Sequence, residues 1–146
     1  MRKKESSHDT STLSLVELLN NVLKIEYTLI VHYPRLASSI KDDEARKLAL
    51  KLGTDSVRHA DVVSRAITTL GGRPAWTFAP LPEDFDILQI FRIQLEKEKL
   101  ALKLHRQAAD LAQSRPIAAA LKAIAVDEEY HIAAVELIIK KITPSK

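Results

Sequence analysis

At 146 residues the chain has the length of one domain, and its 46% apolar content with only three glycines is the composition of an all-helical protein. It contains no cysteine, which excludes disulfides, thiolate metal knuckles and a cysteine nucleophile. The formal net charge of +3 comes from interleaved rather than clustered charges, so nucleic-acid binding is not expected, and no apolar run is long enough to cross a bilayer.

Residues 1–13 are basic and polar and carry no signal-peptide core, so they are expected to be a disordered tail on a soluble cytoplasmic protein. Ser14-Leu15-Val16-Glu17 has the form of a capping box and is expected to start the first helix of a domain covering 14–143. Leu15, Leu19, Val22, Leu29, Ile30 and Leu36 make its inner stripe, and Glu26 and Tyr33 fall on the same stripe. Pro34 is expected to bend the helix or break its last turns. Leu23, Ile25, Tyr27 and Val31 add apolar surface beyond one core face, which suggests a homodimer contact. His8 and His32 lie off the inner stripe and read as exposed or rim residues.

Lys41-Asp42-Asp43-Glu44 supplies a turn and an acidic first turn for a second helix, which ends at Gly71-Gly72. Its inner stripe is Leu48, Leu52, Ser56, His59, Val63 and Ile67. Residues 71–86 hold three of the six prolines and read as an extended crossover, packed onto the bundle by Trp76, Phe78 and Leu81. The third helix runs from Ile87 to about Gln113, with Phe91, Leu95, Glu98, Leu102, His105 and Ala109 on one face and Gln94 lining an entry path one turn before Glu98. Its outer residues Ile90, Ile93, Leu100 and Leu104 read as more of the oligomer face. Ser114-Arg115-Pro116 turns into a fourth helix, closed by Pro144, on which Ile124, Glu128, His131, Val135 and Ile138 share a stripe. Tyr130 reads as a packing residue. The pattern predicts an all-α fold: a four-helix bundle of two hairpins joined by a long crossover, with helices of up to roughly 40 Å.

Each helix thus carries an ionisable group on its apolar face, and burying such groups is unfavourable unless something pairs with them. Positions 26 and 98 are 72 residues apart, as are 59 and 131, and the same separation relates Asp55 to Asp127 and Ser56 to Glu128. The two halves therefore look like copies of one hairpin, each bringing a Glu from its first helix and a His from its second. A Glu from two helices and Glu-x-x-His from the other two is the donor set of a carboxylate-rich pair of metal ions.

In Glu26 with Tyr33 seven residues on, His59, Leu70-Gly-Gly-Arg-Pro74, Glu98 with His105 seven on, and Asp127-Glu-Glu-Tyr-His131, the chain resembles the rubrerythrin and bacterioferritin branch of the ferritin-like superfamily from about Leu15 to Ile142. The resemblance implies that Glu26 and His59 ligate one metal, Glu98 and His131 the other, and that Glu128 bridges them. It implies that Asp55 and Asp127 hydrogen-bond the opposite histidines, with Tyr33 near the metals and His105 at its counterpart. The implied cofactor is two irons or manganeses. The implied function is an oxidoreductase of peroxidase or ferroxidase type, acting on peroxide or dioxygen. Without cysteine the chain has no rubredoxin module, so an external electron donor is expected. A haem is not expected, since Met1 is the sole methionine, and neither is a storage cage, since only 143–146 follow the fourth helix.

One position departs from that pattern. Ser56 stands where Glu-x-x-His requires its Glu. Three readings are open: two metals with water or an anion in the gap; one metal on Glu98, Glu128 and His131 with Glu26 as a fourth ligand; or no metal and a hydrogen-bonded core. The last two would make the chain a non-catalytic binding or scaffold protein.

Overall fold

The computed structural model describes the backbone from residue 2 to 145 and the side chains from residue 12 to 145. These residues form four helices and no strand: α1 (Arg2–Ala37), α2 (Asp43–Thr69), α3 (Ile87–Leu111) and α4 (Arg115–Ile142). Asp42, Asp86 and Ser114 accept hydrogen bonds from the first free amides of α2, α3 and α4, which fixes where each begins. At the end of α2 the Gly71 amide donates to Thr68 O and the Gly72 amide to Ile67 O, with Gly71 at φ 85°. This left-handed turn, which glycine adopts without penalty, releases the chain into the crossover.

α1 departs from expectation at its start. It begins at Arg2, so the disordered tail at 1–13 is replaced from Arg2 onward by helix, and Ser14 lies inside α1 rather than capping it. Residues 2–13 contain no glycine or proline, so nothing sterically stops the helix there. Pro34 does not break α1, which continues to Ala37, and its ring packs beside Gly53 of α2, where an added Cβ would be in ordinary contact at 3.4 Å. The His8 side chain, expected to be exposed, lies outside the described residues.

Each hairpin is tightly packed, and the two join through α1 against α3 and α2 against α4. The end of α1, the starts of α2 and α3 and the end of α4 share one end of the bundle, so every contacting pair is antiparallel. The crossover runs back along α1. Asn20 bonds Arg73 O and the Ala75 amide, Thr28 accepts from the Ala79 amide, and His32 Nε2 donates to Ala79 O. His32 is therefore buried rather than at the rim. Trp76 and Phe78 face outward, 74% and 41% exposed, with Trp76 edge-on to Tyr27; of the three residues expected to pack the crossover down, Leu81 does so. Polar stitching to α1 replaces the expected aromatic packing. Leu23 and Ile90, assigned to an outer face, are buried in the core.

That core is in two pieces. One apolar cluster holds Leu15 to Leu23, Ala60 to Ile67, Ala108, Ala109 and Ile117 to Ile124, and the other holds Leu29 to Ile40, Ala45 to Leu52, Ile90, Phe91, Val135 and Ile138. In the gap each helix leaves between the two lie Glu26, Ser56 with His59, Glu98 with His105, and Glu128 with His131. The bundle is thus crossed by one polar layer at mid-height.

Candidate metal centre

Every one of these seven side chains is buried. Helical spacing of three or four residues puts Ser56 and His59 on one face of α2 and Glu128 and His131 on one face of α4, and the apolar residues on either side pull those faces inward.

The two histidines are oriented from outside the layer. His59 Nε2 donates to Asp127 Oδ2 at 3.0 Å, and His131 Nε2 donates to Asp55 Oδ2 at 3.1 Å. Both aspartates are in turn held by cations: Arg58 bonds Asp127 at 2.9 Å and lies 3.8 Å from Asp55, which Lys51 bonds at 2.8 Å. A carboxylate only accepts, so each Nε2 carries a hydrogen and each Nδ1 is turned inward. There His59 Nδ1 lies 3.0 Å from Glu128 Oε1 and 3.5 Å from Glu26 Oε2. His131 Nδ1 lies 3.3 Å from Glu98 Oε2 and 3.5 Å from Glu128 Oε2. The imidazole rings stack with centroids 5.1 Å apart.

An inward Nδ1 lone pair facing a carboxylate oxygen at these distances is repulsive unless a positive charge lies between them. In the metal-free protein that charge is a proton. Burial pulls both histidines down, but the facing carboxylates outweigh it, Glu128 and then Glu26 on His59 and Glu128 and then Glu98 on His131, and the two reach about 10 and about 11. Glu98 goes the other way: burial pushes its carboxyl up to about 7 against the opposing bond from His131. Burial also disfavours ionised Glu26, yet bonds from His105 and then His59 win and hold it low. Tyr33 donates to Glu98 Oε2 at 2.8 Å, and burial followed by the Glu98 charge keeps its hydroxyl protonated. His105 Nε2 lies 3.1 Å from Glu26 Oε2.

A cation fits this layer. Glu26 Oε1, Glu98 Oε1, Glu128 Oε2 and His131 Nδ1 are buried without a hydrogen-bond partner, and this is a donor set that ligates iron, manganese or zinc. Two all-buried triads have donor atoms within 4.8 Å of one another: His59, Glu128 and His131, and Glu26, His105 and Glu128. Glu128 belongs to both. Ser56 Oγ is buried and unbonded. Gln94 is buried, accepting from Lys97, rather than opening a path. Tyr130 is 70% exposed and lines a cleft of about 270 Å³ between α2 and α4 that reaches Asp55 and His131. Sequence reasoning missed Arg58 and Lys51; the signal was their spacing of three and four residues from Asp55 on one helix.

Two outcomes follow. A histidine whose pKa rises on folding from 6.5 to about 10 stabilises fully below pH 6.5 and loses that contribution as pH climbs towards 10; His131 and Glu98 act in the same direction. Glu26, Asp55 and Asp127 are lowered and contribute above the ordinary carboxylate range. Thermal unfolding of the metal-free protein should therefore show greatest stability near pH 5–6.5 and a steady fall from pH 7 to 10; flat or rising stability there would refute the proton-bridged layer. Replacing Asp127 with Asn frees His59 to rotate and take the wrong tautomer, so chelator-competition titrations should show metal affinity reduced about 10–100-fold with helicity unchanged.

The ferritin-like domain family model matches residues 16–144. A ferritin-like, diiron-carboxylate protein from Bacillus anthracis superposes with TM-score 0.79 at 20% identity, over 88% of this chain and 97% of that one. The bacterioferritin-related protein of Bacteroides fragilis, a dodecameric thioferritin, gives 0.76 at 18% identity over 90% and 87%. Rhodobacter capsulatus bacterioferritin, solved with a metal-free dinuclear site and a haem iron, gives 0.68 at 27% identity over 88% and 84%. No curated protein sequence matches the chain. None of the described helices is long and apolar enough to cross a membrane. A family model covering most of the chain shows that the protein belongs to the ferritin-like domain family.

Proposed function

We propose that the polar layer holds two ions, iron or alternatively manganese, and that the protein is a non-haem oxidoreductase reacting with dioxygen or peroxide. The observation that carries this is the inward pair of Nδ1 atoms, fixed from outside by Asp127 and Asp55 and aimed at three fully buried carboxylates. A proton or a metal ion satisfies the same lone pairs, so metal binding displaces protons from His59 and His131. The diiron-carboxylate description of the Bacillus anthracis neighbour favours iron, and the dinuclear site of the Rhodobacter capsulatus one favours two positions.

Glu26 and His59 would hold one ion, Glu98 and His131 the other, with Glu128 between them. When bound, the ions would supply electrons to the oxidant and Lewis acidity at its oxygens. The chain's own part is to hold them and manage protons. Tyr33 donates to Glu98 and so orients it, while His59 and His131 release their inward protons as the ions bind. Ser56 leaves the layer one carboxylate short on the α2 side, where a small oxidant needs space. The cleft beside Asp55, Tyr130 and His131 would be the route in from solvent. Return to the reduced state requires an external electron donor. A homodimer, resting on exposed Val31, Trp76 and Phe78 of α1 and the crossover and Ile93 and Leu100 of α3, and a reducing cytoplasm, which suits a chain without cysteine, complete the proposal.

Anaerobic titration with iron(II), followed by metal analysis after desalting, should give two ions per chain, and adding peroxide or dioxygen should oxidise them faster than the same iron in buffer. One ion per chain and no acceleration would favour a mononuclear, non-catalytic protein. No retained metal would overturn the proposal.

A further inference from the structure

The two halves of the layer match contact by contact. Tyr33 donates to Glu98 at 2.8 Å, and His105, 72 positions after Tyr33, lies 3.1 Å from Glu26, 72 positions before Glu98. The corresponding atoms differ in one respect. The Tyr33 hydroxyl is buried and gives its one hydrogen to Glu98. An imidazole has a nitrogen lone pair as well, and His105 places a donor atom within 4.8 Å of donor atoms of Glu26 and Glu128 in an all-buried triad. Its Nδ1 is buried without a partner, so Glu26 alone does not satisfy the ring. The one interruption of the repeat among the layer's acids is on this side too, where Ser56 stands opposite Glu128 with its hydroxyl unbonded.

From these contacts we infer that His105 is a metal-ligating residue, its imidazole supplying the ion held by Glu26 with the donor that a carboxylate at position 56 would otherwise bring. The inference rests on the two-ion reading of the layer. The set around that ion becomes Glu26, His59, His105 and the shared Glu128, two nitrogens and two carboxylates. Exchanging an anionic oxygen for a neutral nitrogen removes one negative charge from the layer, which favours a divalent over a trivalent ion. Imidazole donors also shift preference from manganese towards iron(II), cobalt(II) and zinc. The ligand class is a borderline divalent cation, and the two ions are inequivalent: this one nitrogen-rich, the one on Glu98 and His131 oxygen-rich.

Cobalt(II) is the probe, because its visible absorption reports the number and type of donors independently of any turnover. Anaerobic titration of the native protein should give two equivalents with two distinguishable spectra. In His105→Gln, which keeps an N–H for Glu26 but loses the imidazole lone pair, one equivalent should weaken by at least about tenfold and its spectrum should change. Adding Ser56→Glu to that variant should restore the second equivalent. His105→Tyr, which reproduces the Tyr33 arrangement and provides a second route if the Gln variant folds poorly, should also lose one ion. If either single variant binds both ions with native affinity and spectra, His105 is only a hydrogen-bond donor to Glu26 and the inference fails while the two-ion reading stands. If the native protein binds fewer than two, both fail.

Discussion

The interaction on which the rest of this structure depends is the facing of two inward imidazole nitrogens against three fully buried carboxylates. Glu26, Glu98 and Glu128 bring three negative charges to a layer closed above and below by Leu, Val, Ile and Ala. Uncompensated, each would be opposed by several kcal/mol of lost hydration. Two imidazolium ions offset two of them, and the pKa of Glu98, raised to about 7, shows that the third is only partly tolerated. The metal-free layer is therefore held by protons, with positive charge at the places two cations would occupy.

The surroundings follow from that need. The aspartates fix which nitrogen faces inward, and Arg58 and Lys51 balance the charge of the aspartates at the surface, so a graded arrangement of cation, carboxylate and imidazole runs from solvent to the centre on both sides. The pairing crosses between halves: the histidine of α2 is held by the aspartate of α4 and the reverse. Neither hairpin completes its half of the layer without the other. The crossover, laid along α1 by Asn20, Thr28 and His32, brings α3 in antiparallel to α1 and so puts Glu98 and His105 at the height of Glu26.

Much of this was legible in the sequence, because the signals are periodic. The four helices, their order, the long crossover and the inward placement of Glu26, His59, Glu98, Glu128 and His131 all follow from apolar stripes interrupted by ionisable residues, and the separation of 72 positions joined the halves. What was not legible depends on contacts between distant segments. Nothing local distinguishes His32 from a rim histidine until the crossover covers it, and Trp76 and Phe78 read as anchors until Asn20 and Thr28 take that role. The start of α1 is not fixed by the capping-box pattern at Ser14, which is only permissive, because the preceding residues can continue a helix. The distances of His105 from Glu26 and Glu128 could not be read from its place on a stripe, which tells which way a side chain faces and not what it meets.

A two-cation centre built from both halves of the chain can be seen by anomalous X-ray diffraction from crystals grown with iron(II) or cobalt(II), recorded on either side of the metal's absorption edge. Two peaks are expected inside the bundle, one between Glu26, His59 and His105 and one between Glu98 and His131, with Glu128 touching both. A single peak, or peaks confined to surface carboxylates such as Asp55 and Asp127 with the inner layer unchanged, would contradict a two-cation centre.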